Sequence, residues 1–475
     1  MLTEVRRDGH VKGAPGTPCG RIVPLILVAY ILSLSFAWSP LPFSMQWSDV
    51  IFLGLLGGFV AAGGMRRVQL SGLDYVVVAY VAGSLCSLVW AEKEGPIAIH
   101  IAKLVYLALV YLVIGTLCMD ESLRRQAAWG IALGAALLSL VGTVYVLAYG
   151  MFDIPAAPLA LEHSVPYLGQ VLRLDLHFYT PELLGCFLTV GIAFALALRT
   201  APLPGFSSKW LTLAVLLILV TEAFTFSHSV VGFAFAAMVA YCPRSLGSRW
   251  IWIRRGFVAM SILLFAGMLF VSTFYVQALS VDSRKVPHPS GPVDSHVLQT
   301  EEWPHLTINA TYSYLHYHVL KVLAWETFIA HPFSGIGLGN FPSVSEKAHQ
   351  EGRVSQSCRS CEPHNTVLGQ LAETGLLGGL PLLALWAWLF RDGWRLFRLS
   401  QGTESEWIAR ACFGGLVGLF VNGLYTDVMN FRFLWVSMAV LRGLALSSQW
   451  TSAPRAQEAT AQDTSYAGAQ ASTIF

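Results

Sequence analysis

The chain alternates long apolar stretches with short polar ones. Twelve stretches approach the roughly 20 residues a helix needs to cross a bilayer. They lie at 22–38, 49–64, 73–90, 98–118, 127–148, 180–199, 209–226, 229–242, 252–276, 374–391, 408–424 and 430–447. The eighth is short and reads as partly re-entrant. Polar sequence interrupts the pattern at length twice, at 150–179 and at 277–365. Inside the longer gap, 278–310 is turn-rich and irregular. Residues 311–330 return to helical spacing, with Leu315, Val319, Val322, Leu323, Phe328 and Ile329 on one apolar stripe. "HPFSGIGLGNFPSV" then breaks the helix. "PHN" leads into a second helix at Thr366, because Pro363 disfavours helix before it and Asn365 suits an N-cap.

This pattern predicts an all-α integral membrane protein of about twelve transmembrane helices. A large exterior loop with amphipathic helices separates spans nine and ten. The expected units are a disordered tail at 1–21, spans one to nine within 22–276, the exterior loop at 277–373, spans ten to twelve within 374–447, and a second disordered tail at 448–475. The first stretch is followed by "SPLPFSMQW", which lacks a small-residue cleavage site, so it is expected to stay as a helix.

Composition agrees: 55% of residues are hydrophobic and 12% charged, against about 25% charged in soluble domains. Mean hydropathy is +0.58. A formal net charge of +2 gives no global signal for nucleic acid. The placement of the charges is more informative. Arg6, Arg7, Lys12 and Arg21 precede the first span, and basic clusters follow every even-numbered span: Arg66 and Arg67, Arg124 and Arg125, Arg199 and Lys209, Arg244 to Arg255, and Arg391 to Arg410. The short odd-numbered loops hold Lys93 and Arg173. Basic residues favour the cytoplasmic side, so both termini are expected there and the 277–373 loop outside.

Chemistry concentrates in and near that loop. His364 stands at a helix start, where the dipole suits an anion and an imidazole suits proton transfer; the plainer reading is a capping histidine. Arg173 reads as a phosphate or carboxylate ligand, or as the partner of Asp175. His228, between two spans, reads as a residue at a site mouth or as a turn histidine. His318 and Lys321 share one helix face, which is either a cationic patch or a solvated surface. Glu373 either sits buried at the bilayer edge or faces the site. Asp427 and Arg432 are expected to pair with each other or with the large loop. Cys358 and Cys361 read as a disulfide in an oxidising exterior, or as two zinc ligands completed by His364 or His349.

Taken together, "HPFSGIGLGNF" and "PHNTVLGQLAETG" resemble the signature of the O-antigen ligase and O-antigen polymerase superfamily. Its H-P-x-x-G-x-G-x-x-x-F block matches His331, Pro332, Gly335, Gly337 and Phe341. Its H-N-x-x-L-x-x-x-x-E-x-G block matches His364, Asn365, Leu368, Glu373 and Gly375. The resemblance implies a metal-independent glycosyltransferase of the bacterial inner membrane, with its site on the periplasmic side and no cofactor. The implied donor is an oligosaccharide or polysaccharide on undecaprenyl diphosphate. The implied acceptor is a hydroxyl of lipid A core, of another glycan or of a protein. His364 becomes the base. Arg173, with His228, His318, Lys321, Asn365, Glu373 and Arg432, becomes the substrate-binding set. Two family arginines are absent: His228 stands where one falls in the turn, and "HYHVLK" stands where another falls in the amphipathic helix.

A transporter of lipid-linked glycans and a non-catalytic polysaccharide assembly protein are the competing readings. A transporter is expected to show internal repeats or broken helices, and the sequence displays neither.

Overall fold

In a computed structural model, the structure describes residues 18–37, 45–90, 97–152, 159–165, 169–200, 207–241, 274–280, 296–298, 309–314, 316–354 and 359–448. The helices, in chain order, are α1 (Pro18–Ser33), α2 (Trp47–Ala61), α3 (Gly72–Cys86), α4 (Ile97–Leu117), α5 (Glu121–Phe152), α6 (Pro181–Thr200), α7 (Ser208–Ala223), α8 (Ser229–Tyr241), α9 (His316–Ala330), α10 (Phe341–Gln350), α11 (Thr366–Leu399), α12 (Glu406–Asn422) and α13 (432–448). Eleven of the twelve apolar stretches therefore fall on helices. The ninth lies mostly outside the described residues, as do both expected tails for most of their length.

Five helices are long and apolar enough to cross a bilayer: Gly72–Trp90, Ala98–Leu117, Glu121–Phe152, Pro181–Arg199 and Thr366–Leu399. In α6, 83% of the apolar window is buried inside the protein, against 33% to 44% in the other four. Of these five, α6 is thus the most internal, and the others keep apolar faces outward. It packs with α8 and α12. Small residues let those backbones meet: a Cβ on Gly232 of α8 would strike the Gly418 carbonyl of α12, and the converse also holds.

The fold is mostly helical, as expected of an all-α membrane protein, and short strands accompany the helices. β1 (Ala160–Val165) and β2 (Gly169–Leu174) form an antiparallel hairpin, with Leu161 opposite Arg173. β3 (Phe274–Ser280), β4 (His296–Leu298) and β5 (Asn309–Tyr314) form a second antiparallel sheet in the order β3-β5-β4. The helix expected at 311–330 therefore starts at His316. The preceding "NATYSY" is rich in β-favouring threonine and tyrosine and pairs as a strand.

Ion pairs tie the bundle together. Arg442 of α13 meets Asp74 of α3 at 2.6 Å, with both side chains buried. Arg432 grips Asp49 with two bonds, at 2.7 and 2.8 Å. The expected Arg432–Asp427 pair is not formed, because Asp49 at the first turn of α2 presents both its oxygens to the guanidinium. Asp427 instead accepts from the Met429 amide and the Asn430 side chain.

Candidate active site

α11 is not one continuous helix. Gly375 has φ 56° and ψ −150°, so the helix stops and restarts there. A break exposes carbonyls on one side and amides on the other. The 331–337 stretch satisfies both. Ile336 N and Gly337 N donate to the Ala372 and Glu373 carbonyls, at 3.1 and 2.7 Å. Leu376 N and Leu377 N donate to the Pro332 and Phe333 carbonyls, at 2.8 and 3.1 Å. The contact demands glycine on both sides. Gly335 has φ 61°, and a Cβ there would strike the Glu373 backbone; a Cβ on Gly375 would strike Phe333 and Gly335. The two sequence blocks are therefore one clamp, and the broken helix that the sequence did not reveal is its centre.

Glu373 serves the same clamp. Its Oε1 accepts from Phe341 N at 3.1 Å, and Gly339 N also donates to its carboxylate. It thereby satisfies amides at the start of α10, as a capping carboxylate does. It faces away from His364, into a second cavity of about 720 Å³ that Tyr80, His100, Lys103, Glu362 and Asp427 also line.

The head of α11 is fastened to the turn between α12 and α13. Asn365 Oδ1 accepts from Leu368 N at 2.9 Å, which caps the helix as expected, and its Nδ2 donates to the Leu424 carbonyl at 3.1 Å. Thr366 N donates to the Gly423 carbonyl at 2.7 Å, and Thr366 Oγ1 donates to the Thr426 carbonyl at 2.9 Å. His364 is held between these fixed points with φ 50°, a left-handed conformation rare for a residue with a Cβ. Such strain persists only where the surroundings impose it.

His364 opens into a cleft of about 450 Å³, partly open to solvent and lined also by Glu182, Cys186, His228, Ser229, Lys321, Asn422, Tyr425 and Thr426. The cleft gathers cations on an aromatic floor. The His228 ring stacks on Tyr425 at 5.6 Å and 14°. Lys321 Nζ stands 5.2 Å from the centre of the same ring. Arg173 Nη2 meets Glu182 Oε1 at 2.8 Å, and its Nε donates to the Thr225 carbonyl at 3.1 Å. Its partner is Glu182 rather than the neighbouring Asp175, whose Oδ1 accepts from its own turn at His177 N.

The electrostatics follow from this gathering. Burial pushes the His364 imidazole down to about 4; Glu182 opposes the shift, and Lys321 and His228 add to it. His228 is lowered by burial, against Glu182 and with Lys321 and Arg173. Lys321 is lowered by burial. His364 is therefore a neutral imidazole at physiological pH, able to accept a proton.

Of the expected residues, His364, His228 and Lys321 line one cleft, and Arg173 reaches it through Glu182. His318 stands one turn from Lys321 on α9 and does not line the cleft. Asn365 and Glu373 hold backbone, and Arg432 is occupied by Asp49. Cys358 lies outside the described residues. Cys361 offers its carbonyl to Ser345 Oγ at 3.0 Å, and His349 Nδ1 is engaged by the Val354 carbonyl at 2.9 Å. Sequence reasoning missed Tyr425, Ser229 and Asn422 as cleft residues. The available signal was polar side chains at the ends of apolar stretches.

No family model matches the chain, and a search of curated proteins finds no match either.

Proposed function

We propose that the protein is a membrane glycosyltransferase that moves a glycan from a lipid-linked diphosphate to an acceptor hydroxyl. The observation that carries the proposal is the convergence of a neutral His364 with Lys321, His228 and the Arg173–Glu182 pair in one half-open cleft. In this reading the chain has twelve spans in a bacterial inner membrane, both termini are cytoplasmic, and the cleft opens to the periplasm. Lys321 and Arg173 neutralise the diphosphate as the glycosidic bond to it breaks, and the His228 ring offers it a hydrogen bond. His364 takes the proton of the attacking hydroxyl. A bound dianion offsets the cations that depress His364, so the imidazole becomes a stronger base when the donor arrives. No step requires a metal or a cofactor. The acceptor is a hydroxyl of lipid A core, of a growing polysaccharide or of a protein.

The break in α11 favours a second reading, a transporter of lipid-linked glycans, because transporters place broken helices at their binding sites. There the freed helix ends point at the ligand. Here both ends at Gly375 are bonded to residues 332–337, which favours the transferase.

The test is glycan transfer in membranes from a lipid diphosphate donor, with His364→Ala and Arg173→Ala variants. His364→Ala is expected to lose about 10²- to 10⁴-fold in rate, and Arg173→Ala to weaken donor binding. Full transfer by both variants sinks the assignment.

A further inference from the structure

Beneath the cleft lies a carboxyl that binding and catalysis, as described so far, do not use. Glu222, near the end of α7, is 3% exposed. Its Oε1 accepts from Ser229 Oγ at 2.7 Å. Its Oε2 is buried and has no hydrogen-bond partner. Ser229 Oγ lies 2.5 Å from Ser227 Oγ, and Ser229 N donates to Ser227 Oγ at 3.0 Å. Ser229 lines the cleft beside His228 and His364. Gly185 of α6 makes room for the arrangement, since a Cβ there would strike Ser229 Oγ. Asn422 of α12 also lines the cleft, with its own Oδ1 buried and unpartnered.

A carboxyl in an apolar span is costly and marks function or pairing. Glu222 has no cationic partner among the described residues. The titratable group facing it is Cys186 on α6, and Glu182 and His228 line the cleft above. α5 faces α7 there with the Ser139 carbonyl, which accepts from Thr221 Oγ1. α12 contributes the neutral Asn422. The hydroxyl chain from Ser227 through Ser229 ends on a carboxylate oxygen, the orientation a proton relay needs. Glu182 is a rival end point, but its Oε1 is already taken by Arg173 Nη2 at 2.8 Å.

We propose that Glu222 is the proton store of the cleft, reached through Ser229. The proposal rests on His364 being the base. The acceptor O–H bond breaks and its proton passes to the His364 imidazole. The imidazolium, crowded by Lys321 and His228, gives the proton up across the cleft to Ser229 Oγ. Ser229 passes its own hydroxyl proton to Glu222 Oε1, which becomes a neutral carboxyl. The proton returns to solvent when the diphosphate leaves. Charge stays balanced within the cleft during the reaction, and no imidazolium has to persist there.

Two measurements test this, and they fail separately. Infrared spectra of the purified protein in lipid nanodiscs, in H2O and D2O, report the carbonyl stretch of a protonated carboxyl. A band is expected that titrates with pH, vanishes in Glu222→Gln and exchanges more slowly in Ser229→Ala. A Glu222 band that never titrates, or that exchanges at the same rate in Ser229→Ala, overturns the relay whether or not the protein transfers glycans. The second measurement is the pH profile of transfer. Glu222→Gln keeps the acceptor for Ser229 and is expected to slow transfer about ten- to hundredfold and to change the profile's shape. Unchanged rate and profile in that variant overturn the proposal while leaving His364 as the base.

Discussion

The two histidine-bearing blocks of the loop region make their contributions by different means. The 331–341 block works through its backbone: the carbonyls of Pro332 and Phe333 and the amides of Ile336, Gly337 and Phe341 clamp the broken helix. His331 itself contributes backbone, its carbonyl to Gly335 N at 2.9 Å and its N–H to the Thr327 carbonyl at 3.0 Å, and its side chain is exposed. The 364–366 block works through side chains, with an imidazole in a cleft and two polar residues fixing its position. A motif reads as one string, yet half of it is structural frame and half is chemistry.

The largest effect should come from breaking the frame. Gly375→Ala forces a Cβ into a conformation essentially reserved for glycine, at about 1–3 kcal/mol, and into the backbone of Phe333 and Gly335. Marginal stability leaves little room for this. The variant should lose most of its folded yield on detergent extraction, and Gly335→Ala should behave alike. A variant with an unchanged melting temperature would mean that the clamp is not needed to hold the cleft.

The next effect tests the chemical half without touching the frame. Burial and the flanking Lys321 and Arg173 keep His228 largely uncharged near neutrality. Arg at this position stays charged and still stacks on Tyr425. His228→Arg should therefore bind inorganic pyrophosphate about tenfold more tightly near neutral pH, one charge-assisted hydrogen bond's worth, with a flatter pH dependence. Calorimetry at two pH values decides it; weaker binding would show that the cleft does not hold phosphate at residue 228.

His364 links the two halves through pH. Its imidazole falls from 6.5 to about 4 on folding. Between those values the unfolded chain binds a proton that the folded chain does not, so stability falls as pH drops through that window and levels off below it. His364→Gln removes this term and should be less acid-sensitive, by about 1 kcal/mol after allowance for solvent screening of a half-buried ring. Melting curves of both proteins across the window measure it. Parallel curves would mean that the ring is solvated and the cleft open.

The bundle was legible because apolar runs of bilayer length are a property of consecutive residues. So were His364 and its cap, because Pro363, Asn365 and Thr366 act within one turn. What was hidden depends on residues distant in the chain. Arg432 was expected to pair with Asp427, five positions away, or with the large loop, yet it pairs with Asp49 across the bundle. Arg173 was set against Asp175, yet it pairs with Glu182. The break at Gly375 was invisible because "AETGLLGGL" reads as continuous helix; only the docking of residues 332–337 makes a break affordable there. Residues 311–314 of β5 were read as the start of α9 because pairing with β3 lies outside any local period.

The smallest effect is the sharpest test of the division. His331 begins the first block as His364 begins the second, and a motif reading gives them equal weight. The described contacts give His331 a carbonyl, which any residue supplies, and an exposed ring. His331→Ala should change melting temperature and transfer by little, within about 0.5 kcal/mol. His331→Pro is the informative companion. Proline there removes the His331 N–H, which donates to the Thr327 carbonyl at 3.0 Å, so it should loosen the end of α9 and disturb Lys321 on the same helix. If His331→Ala costs as much as His364→Ala, the first block carries side-chain chemistry after all, and the division between frame and site is drawn in the wrong place.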